Sequence, residues 1–201
     1  MFTIKTFAFI LAAATAATAL PTATTPDGSG SNGPTGTEAA PGSGTTHIVA
    51  TGKGGVLDFQ PGNIAALPGD VVEFHFAPRN HSVVQSSFEA PCVQLADGGF
   101  NSGFEFAVPD DDDDDDGQVQ SERVYRITVV DAKPIWFFCG QGNHCNQGMV
   151  GVINANTDTP NTFDRYRDAA VKPGVVTQLL EPTGGNLGAA AADNTRFNDG
   201  L

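Results

Sequence analysis

Cys139, His144 and Met149 recur at five-residue intervals within Phe137–Val152, FFCGQGNHCNQGMVGV, a glycine-bearing loop between two apolar runs. One short segment thus presents a thiolate, an imidazole and a thioether together. Soft sulfur donors combined with imidazole select copper over the hard cations, and two imidazoles with one thiolate and a weak thioether favour a trigonal copper centre that exchanges single electrons. Zinc is the main competitor, but it prefers four strong tetrahedral ligands and a methionine is a poor fourth. The second imidazole must come from a strand beside the loop. Asn80-His81-Ser82-Val83-Val84 supplies it at the start of an apolar run. Nothing in the neighbourhood of the other two histidines, His47 and His75, converges as a metal site does, and both are expected to be ordinary surface histidines.

The cysteine count is consistent with this assignment. A secreted chain with three cysteines leaves one unpaired, which is normally a reactive or metal-bound thiol. If Cys139 is the odd one, Cys92 and Cys145 form a disulfide, and closing that loop is worth roughly 4 kcal/mol on a chain-entropy argument. The alternative, Cys139 paired with Cys145 and Cys92 free, would destroy the site and leave the histidine and methionine spacing without a purpose. Asn80-His81-Ser82 is also the chain's one N-glycosylation sequon, and a glycan beside His81 would crowd a metal, so the sequon is expected to be unmodified.

The elements that must position these residues read as short strands: 47–51, 55–60, 70–76, 81–85, 123–130, 134–139 and 149–154. Val72, Phe74 and Phe76 alternate with Glu73 and His75, the period-two pattern of a half-buried strand, and Tyr125, Ile127 and Val129 repeat it. Pro61-Gly62, Pro68-Gly69, Asn80 and Lys133-Pro134 punctuate the strands with turn chemistry. The spacing predicts an all-β Greek-key sandwich or barrel.

Around this core the organisation is simple. Residues 1–19 have a lysine, an apolar run and small exit residues, the pattern of a secretory signal peptide, which places the mature chain outside the cell or at the cell wall. Residues 20–46, rich in Thr, Gly, Ser and Pro, are expected to form a disordered arm. Residues 47–154 form one domain. Residues 155–201 form a tail with a short helix over Thr162–Val171 that Pro173 stops. No later stretch is apolar enough to span a membrane, and the polar end, 193–201, does not suggest a lipid anchor. The formal charge of −13 argues against nucleic acid and anionic membranes and suggests a redox partner with a basic surface. The seven aspartates Asp110–Asp116 read as a solvated, self-repelling loop. A monomer is expected.

The segment Cys139, His144-Cys145 and Gly148-Met149 resembles the copper loop of phytocyanins and of fungal secreted cupredoxin-like proteins. The resemblance extends to Ala66–Phe74, to Asn80–Val83, to Pro91-Cys92 and to Phe100–Gly103. It covers nearly the whole domain but neither the N-terminal arm nor the tail. It implies one type 1 copper ion held by His81, Cys139, His144 and, axially, Met149, with Cys92 paired to Cys145 and electrons leaving through His144. Two rival readings carry the same fold: extracellular copper storage or delivery, and a cell-surface or host-interaction scaffold. Catalysis is not expected, because the chain has neither the His-x-His pairs of a multicopper oxidase nor a hydrolytic triad.

Overall fold

The computed structural model describes residues 44–106, 108, 118–189 and 197; the expected signal peptide, most of the expected arm and the aspartate run lie outside them. Two mixed sheets face each other across an aromatic core. The first has the order β2 (Phe59–Gln60), β1 (Thr46–Thr51), β4 (Val71–Phe76), β6 (Arg123–Thr128) and β9 (Asn186–Ala189). The second runs β3 (Asn63–Ile64), β8 (Val150–Ile153), β7 (Ile135–Phe138) and β5 (Val84–Ser86). One α-helix, α1 (Phe163–Ala170), completes the described elements.

Alternation along each strand sends side chains to opposite faces and so decides what the sheets bury. In β4, Val72, Phe74 and Phe76 enter the central core, where Phe74 pairs across the ladder with Tyr125 and packs edge-on against Phe137, with ring centroids 5.3 Å apart. The second sheet is covered on both faces, which explains the unbroken apolar run of β7. Phe137 faces the central core, while Trp136 and Phe138 turn the other way to meet Val150, Val152, Cys92 and Cys145 under α1.

The helix follows from local chemistry. Thr162 is extended and its hydroxyl accepts from the Arg165 amide, and Asp164 complements the positive helix start. Tyr166, fully buried, fixes the inner face: its ring lies 4.9 Å from that of Trp136 and its hydroxyl bonds that of Ser86.

Several strands differ from their predicted extents. Only Phe59–Gln60 of the expected 55–60 strand pairs in a sheet; Gly52, Gly54 and Gly55 all adopt positive φ and fold the residues at and before its expected start into a turn. Strand β5 begins at Val84, which leaves His81 in the connection before it. The two-residue β3 gave no readable pattern. The glycine-rich β9 gave none either, yet it supplies the fifth strand of the first sheet through its pairing with β6. The tail therefore contributes both a helix and a strand to the packed structure.

Candidate metal centre

Two connections at one end of the sandwich supply the site, and a third clamps the first of them. His81 lies between β4 and β5. It is anchored through the residues that follow: Ser102 Oγ accepts from the Val83 amide at 2.9 Å, the Ser102 amide donates to Val83 O at 3.0 Å, and the Gln85 amide donates to Phe100 O at 2.8 Å. The Phe100–Gly103 segment is thus the clamp that fixes the chain leaving His81. Cys139 directly follows β7. From there the loop turns at Gln141, whose carbonyl accepts from the His144 amide at 2.9 Å, and passes through a short 3₁₀ turn, Cys145–Gln147. Gly148, at φ 97°, then reverses it, a conformation that favours glycine. The reversal brings Met149 back so that its amide donates to His144 O at 3.1 Å and its carbonyl accepts from the Cys139 amide at 3.0 Å. The backbone of Met149 therefore ties the two loop residues together.

These connections bring His81, Cys139 and His144 into one cluster whose donor atoms all lie within 4.8 Å of one another. The Cys139 sulfur is 3.8 Å from His81 Nδ1 and 3.5 Å from His144 Nδ1, and the two imidazole rings are 5.2 Å apart. Met149 is fully buried in the same core cluster as Cys139. Cys139 and His81 are buried, whereas His144 is partly open. It lines a surface depression of about 360 Å³ with Arg79, Asn80 and Gln141.

The electrostatics favour neutral ligands. Burial, then the neighbouring His144 and Arg79, holds His81 down to about 4; burial and Arg79 also lower His144. Burial pushes the Cys139 thiol up to about 11, although amides of Gln141 and Ser82 and the Ser82 hydroxyl pull the other way. Ser82 has a second task, since its Oγ accepts from the Gly140 amide at 2.9 Å and so joins the two ligand-bearing connections. At neutral pH both imidazoles have free lone pairs and the thiol keeps its proton until a cation displaces it.

The residues present fit a copper ion. Bonds of about 2.0 Å to nitrogen and about 2.3 Å to sulfur, opened to trigonal or tetrahedral angles, span about 3.5–3.8 Å between sulfur and nitrogen, which matches the two sulfur–nitrogen separations of 3.5 and 3.8 Å. The set is soft and contains no carboxylate, which suits copper and not the hard cations.

Behind the loop, Cys92 and Cys145 form a disulfide with Cα atoms 5.7 Å apart, and Cys139 is the free cysteine. Asn146 extends this anchor into the tail by donating to Ala170 O at 3.4 Å and Val175 O at 2.9 Å. Leu179 covers Gly140, where an added Cβ would meet its Cδ2 at 2.7 Å. No local pattern in residues 155–201 reveals that the tail buttresses the loop.

The remaining histidines differ from expectation. His75 is 1% exposed and has both ring nitrogens engaged, Nδ1 with Gln120 Oε1 at 2.7 Å and Nε2 with Glu73 Oε1 at 2.6 Å. Alternation places it on the outer face of β4, but that face is buried here, with Glu73 and His75 both nearly inaccessible and Gln120 bonded to the ring. His47 is half-buried and pairs with Asp70 at 2.8 Å.

A two-sheet all-β sandwich with a His-Cys-His cluster at one end makes this chain cupredoxin-like. Its curated relatives include two from Arthroderma benhamiae (strain ATCC MYA-4681 / CBS 112371). One, named "Probable GPI-anchored cupredoxin-1", is 29% identical over 65% of this chain and 61% of the relative. The other, "Extracellular serine-rich protein", is 34% identical over 70% of this chain and 50% of the relative. The chain thus spans about half to three-fifths of the length of these relatives. Similar solved structures include pseudoazurin from Hyphomicrobium denitrificans, with 17% identity, 63% of this chain and 96% of that chain covered, and a TM-score of 0.38. Rusticyanin from Thiobacillus ferrooxidans matches at 20% identity over 55% of this chain and 77% of that chain, with a TM-score of 0.38. No protein-family profile matches the sequence.

Proposed function

We propose that this protein is a one-electron carrier outside the cell or at its surface, with one copper ion held by His81, Cys139 and His144 and weakly by Met149. The convergence of one thiol and two imidazoles within 4.8 Å carries the reading. Bound copper would supply a reversible one-electron couple. Cys139 gives up its proton to serve as thiolate, and the imidazoles enter neutral. The disulfide, the Met149 backbone and the Ser82 bridge hold the donors in place, so that little rearrangement accompanies a change of charge. The apolar wall of Phe137, Val83 and Met149 excludes water, and the partly open His144 edge offers the route to a partner.

The extracellular assignment is supported by the signal-like N-terminus and by the names of the two relatives. Among the described residues no helix is long and apolar enough to cross a membrane. The formal charge of −13 favours a basic partner, so the electron-transfer rate is expected to fall as salt rises; a rate indifferent to ionic strength removes that partner class.

The test is the visible spectrum of the mature protein on addition of Cu(II). An intense thiolate-to-copper band that bleaches reversibly on reduction, with copper retained, is the expected result. Ready loss of Cu(I) to a chelator would point instead to storage or delivery, and a colourless protein would leave a scaffold.

A further inference from the structure

We propose that Gly52 is a positioning residue for His81: its missing side chain is the space into which the Nε2 edge of the imidazole fits, which leaves Nδ1 as the nitrogen presented to Cys139. The proposal rests on the copper reading only for its spectroscopic readout; the packing it describes belongs to the metal-free protein.

Gly52 directly follows β1 at φ 78° and ψ 16°. A Cβ built there would lie 2.2 Å from His81 Nε2 and 2.8 Å from both Cδ2 and Cε1, so the ring meets the glycine end-on. The opposite nitrogen, Nδ1, is the one 3.8 Å from the Cys139 sulfur. Which imidazole nitrogen can reach a metal depends on how the ring is oriented by its hydrogen bonds and packing, and here a backbone hydrogen bond with Pro78 and the close approach of the Nε2 edge to Gly52 both act on the ring.

The glycine is held from both sides. Its amide donates to Asp58 O at 3.1 Å, its carbonyl accepts from the Gly55 amide at 3.1 Å, and the preceding residue accepts from the Ala77 amide at 2.9 Å. His81, 3% exposed, is equally confined. A methyl group at position 52 must therefore drive the ring toward Cys139 and His144 or turn it over.

Gly54 provides an internal control. It also has positive φ, at 67°, but an added Cβ would meet nothing within 4 Å. Gly54→Ala thus carries the left-handed backbone penalty without the contact.

The experiment compares thermal midpoints of the metal-free wild type, Gly52→Ala, Gly54→Ala, His81→Gly and the Gly52→Ala/His81→Gly double variant, followed by Cu(II) titration of the variants that retain His81. Gly52→Ala is expected to lower the midpoint by about 10 °C and Gly54→Ala by less than about 5 °C. In the His81→Gly background the Gly52→Ala cost should shrink to that of Gly54→Ala. This holds even if Gly52→Ala alone is too unstable to load, since the double variant regains what the ring's removal frees. Gly52→Ala should also bind Cu(II) at least tenfold more weakly, with an altered charge-transfer band, while Gly54→Ala matches wild type. A Gly52→Ala cost that is the same with and without the His81 ring, or an unchanged Gly52→Ala spectrum, overturns the proposal. A wild type that never colours with copper removes the functional reading, and the metal-free cycle still decides the role of Gly52.

Discussion

The first sheet's outer face and the loop end of the sandwich each bury a histidine, and they do so in opposite ways. On the outer face, His75 spends both ring nitrogens on Gln120 and Glu73, and the second carboxylate oxygen of Glu73 accepts from Arg126. At the loop end, His81 and His144 turn their Nδ1 atoms toward a common thiol, with no carboxylate in the cluster. A buried histidine is thus no metal signal by itself. Convergence of two imidazoles on one thiol, with no carboxylate among them, is the distinguishing feature.

That contrast can be broken most sharply at its two centres. Cys139→Ser should abolish the charge-transfer band entirely, whereas His75→Gln should keep it and lose stability instead. Visible spectra and denaturant titrations of the two variants check this, and a colourless His75→Gln protein would erase the distinction.

Removing the disulfide with Cys92→Ala/Cys145→Ala should cost about 2–5 kcal/mol in denaturant unfolding. Because Cys145 adjoins His144, it should also weaken copper binding more than any equally destabilising change on the outer face.

The pH response of the metal-free protein should carry the mark of His81, with a somewhat smaller effect. Its folded value is depressed to about 4 from an ordinary 6.5, so the unfolded chain binds the extra proton first as pH falls. The stability contributed by the neutral ring is complete above about 6.5 and is lost as pH falls to about 4, by about 3 kcal/mol at most. Unfolding midpoints measured across that window should flatten in a His81→Ala variant. Copper affinity should meanwhile rise by about tenfold per pH unit around neutrality, since Cys139, raised to about 11, must release a proton on binding.

The smallest expected effect lies in the tail. Asn146→Ala, which frees the carbonyls of Ala170 and Val175, should cost about 1–2 kcal/mol and shift the copper spectrum only slightly; thermal unfolding and absorption together check it.

Much of this architecture was legible in the sequence. Two-residue alternation identified β4 and β6, and the five-residue rhythm of Cys139, His144 and Met149 singled out the loop, because both patterns are local. What was not legible depends on what packs above a residue. Alternation put His75 on the outer face of β4 but carried no information on whether that face is covered. Asn186–Ala189 lacks the apolar alternation of a strand and becomes one only because β6 offers an open edge. Thr51 and Gly55 read as the end of one strand and the start of the next, and nothing in the residues between them reveals that Gly52 lies against His81, a contact made by residues 29 positions apart.

The most direct test of the central claim, that His81, Cys139 and His144 together hold one ion, is X-ray absorption at the copper edge of the loaded protein. One sulfur and two imidazole nitrogens at about 2.0–2.3 Å, with one copper per chain, are the expected nearest neighbours of the metal. A shell of oxygen and nitrogen without sulfur would contradict it.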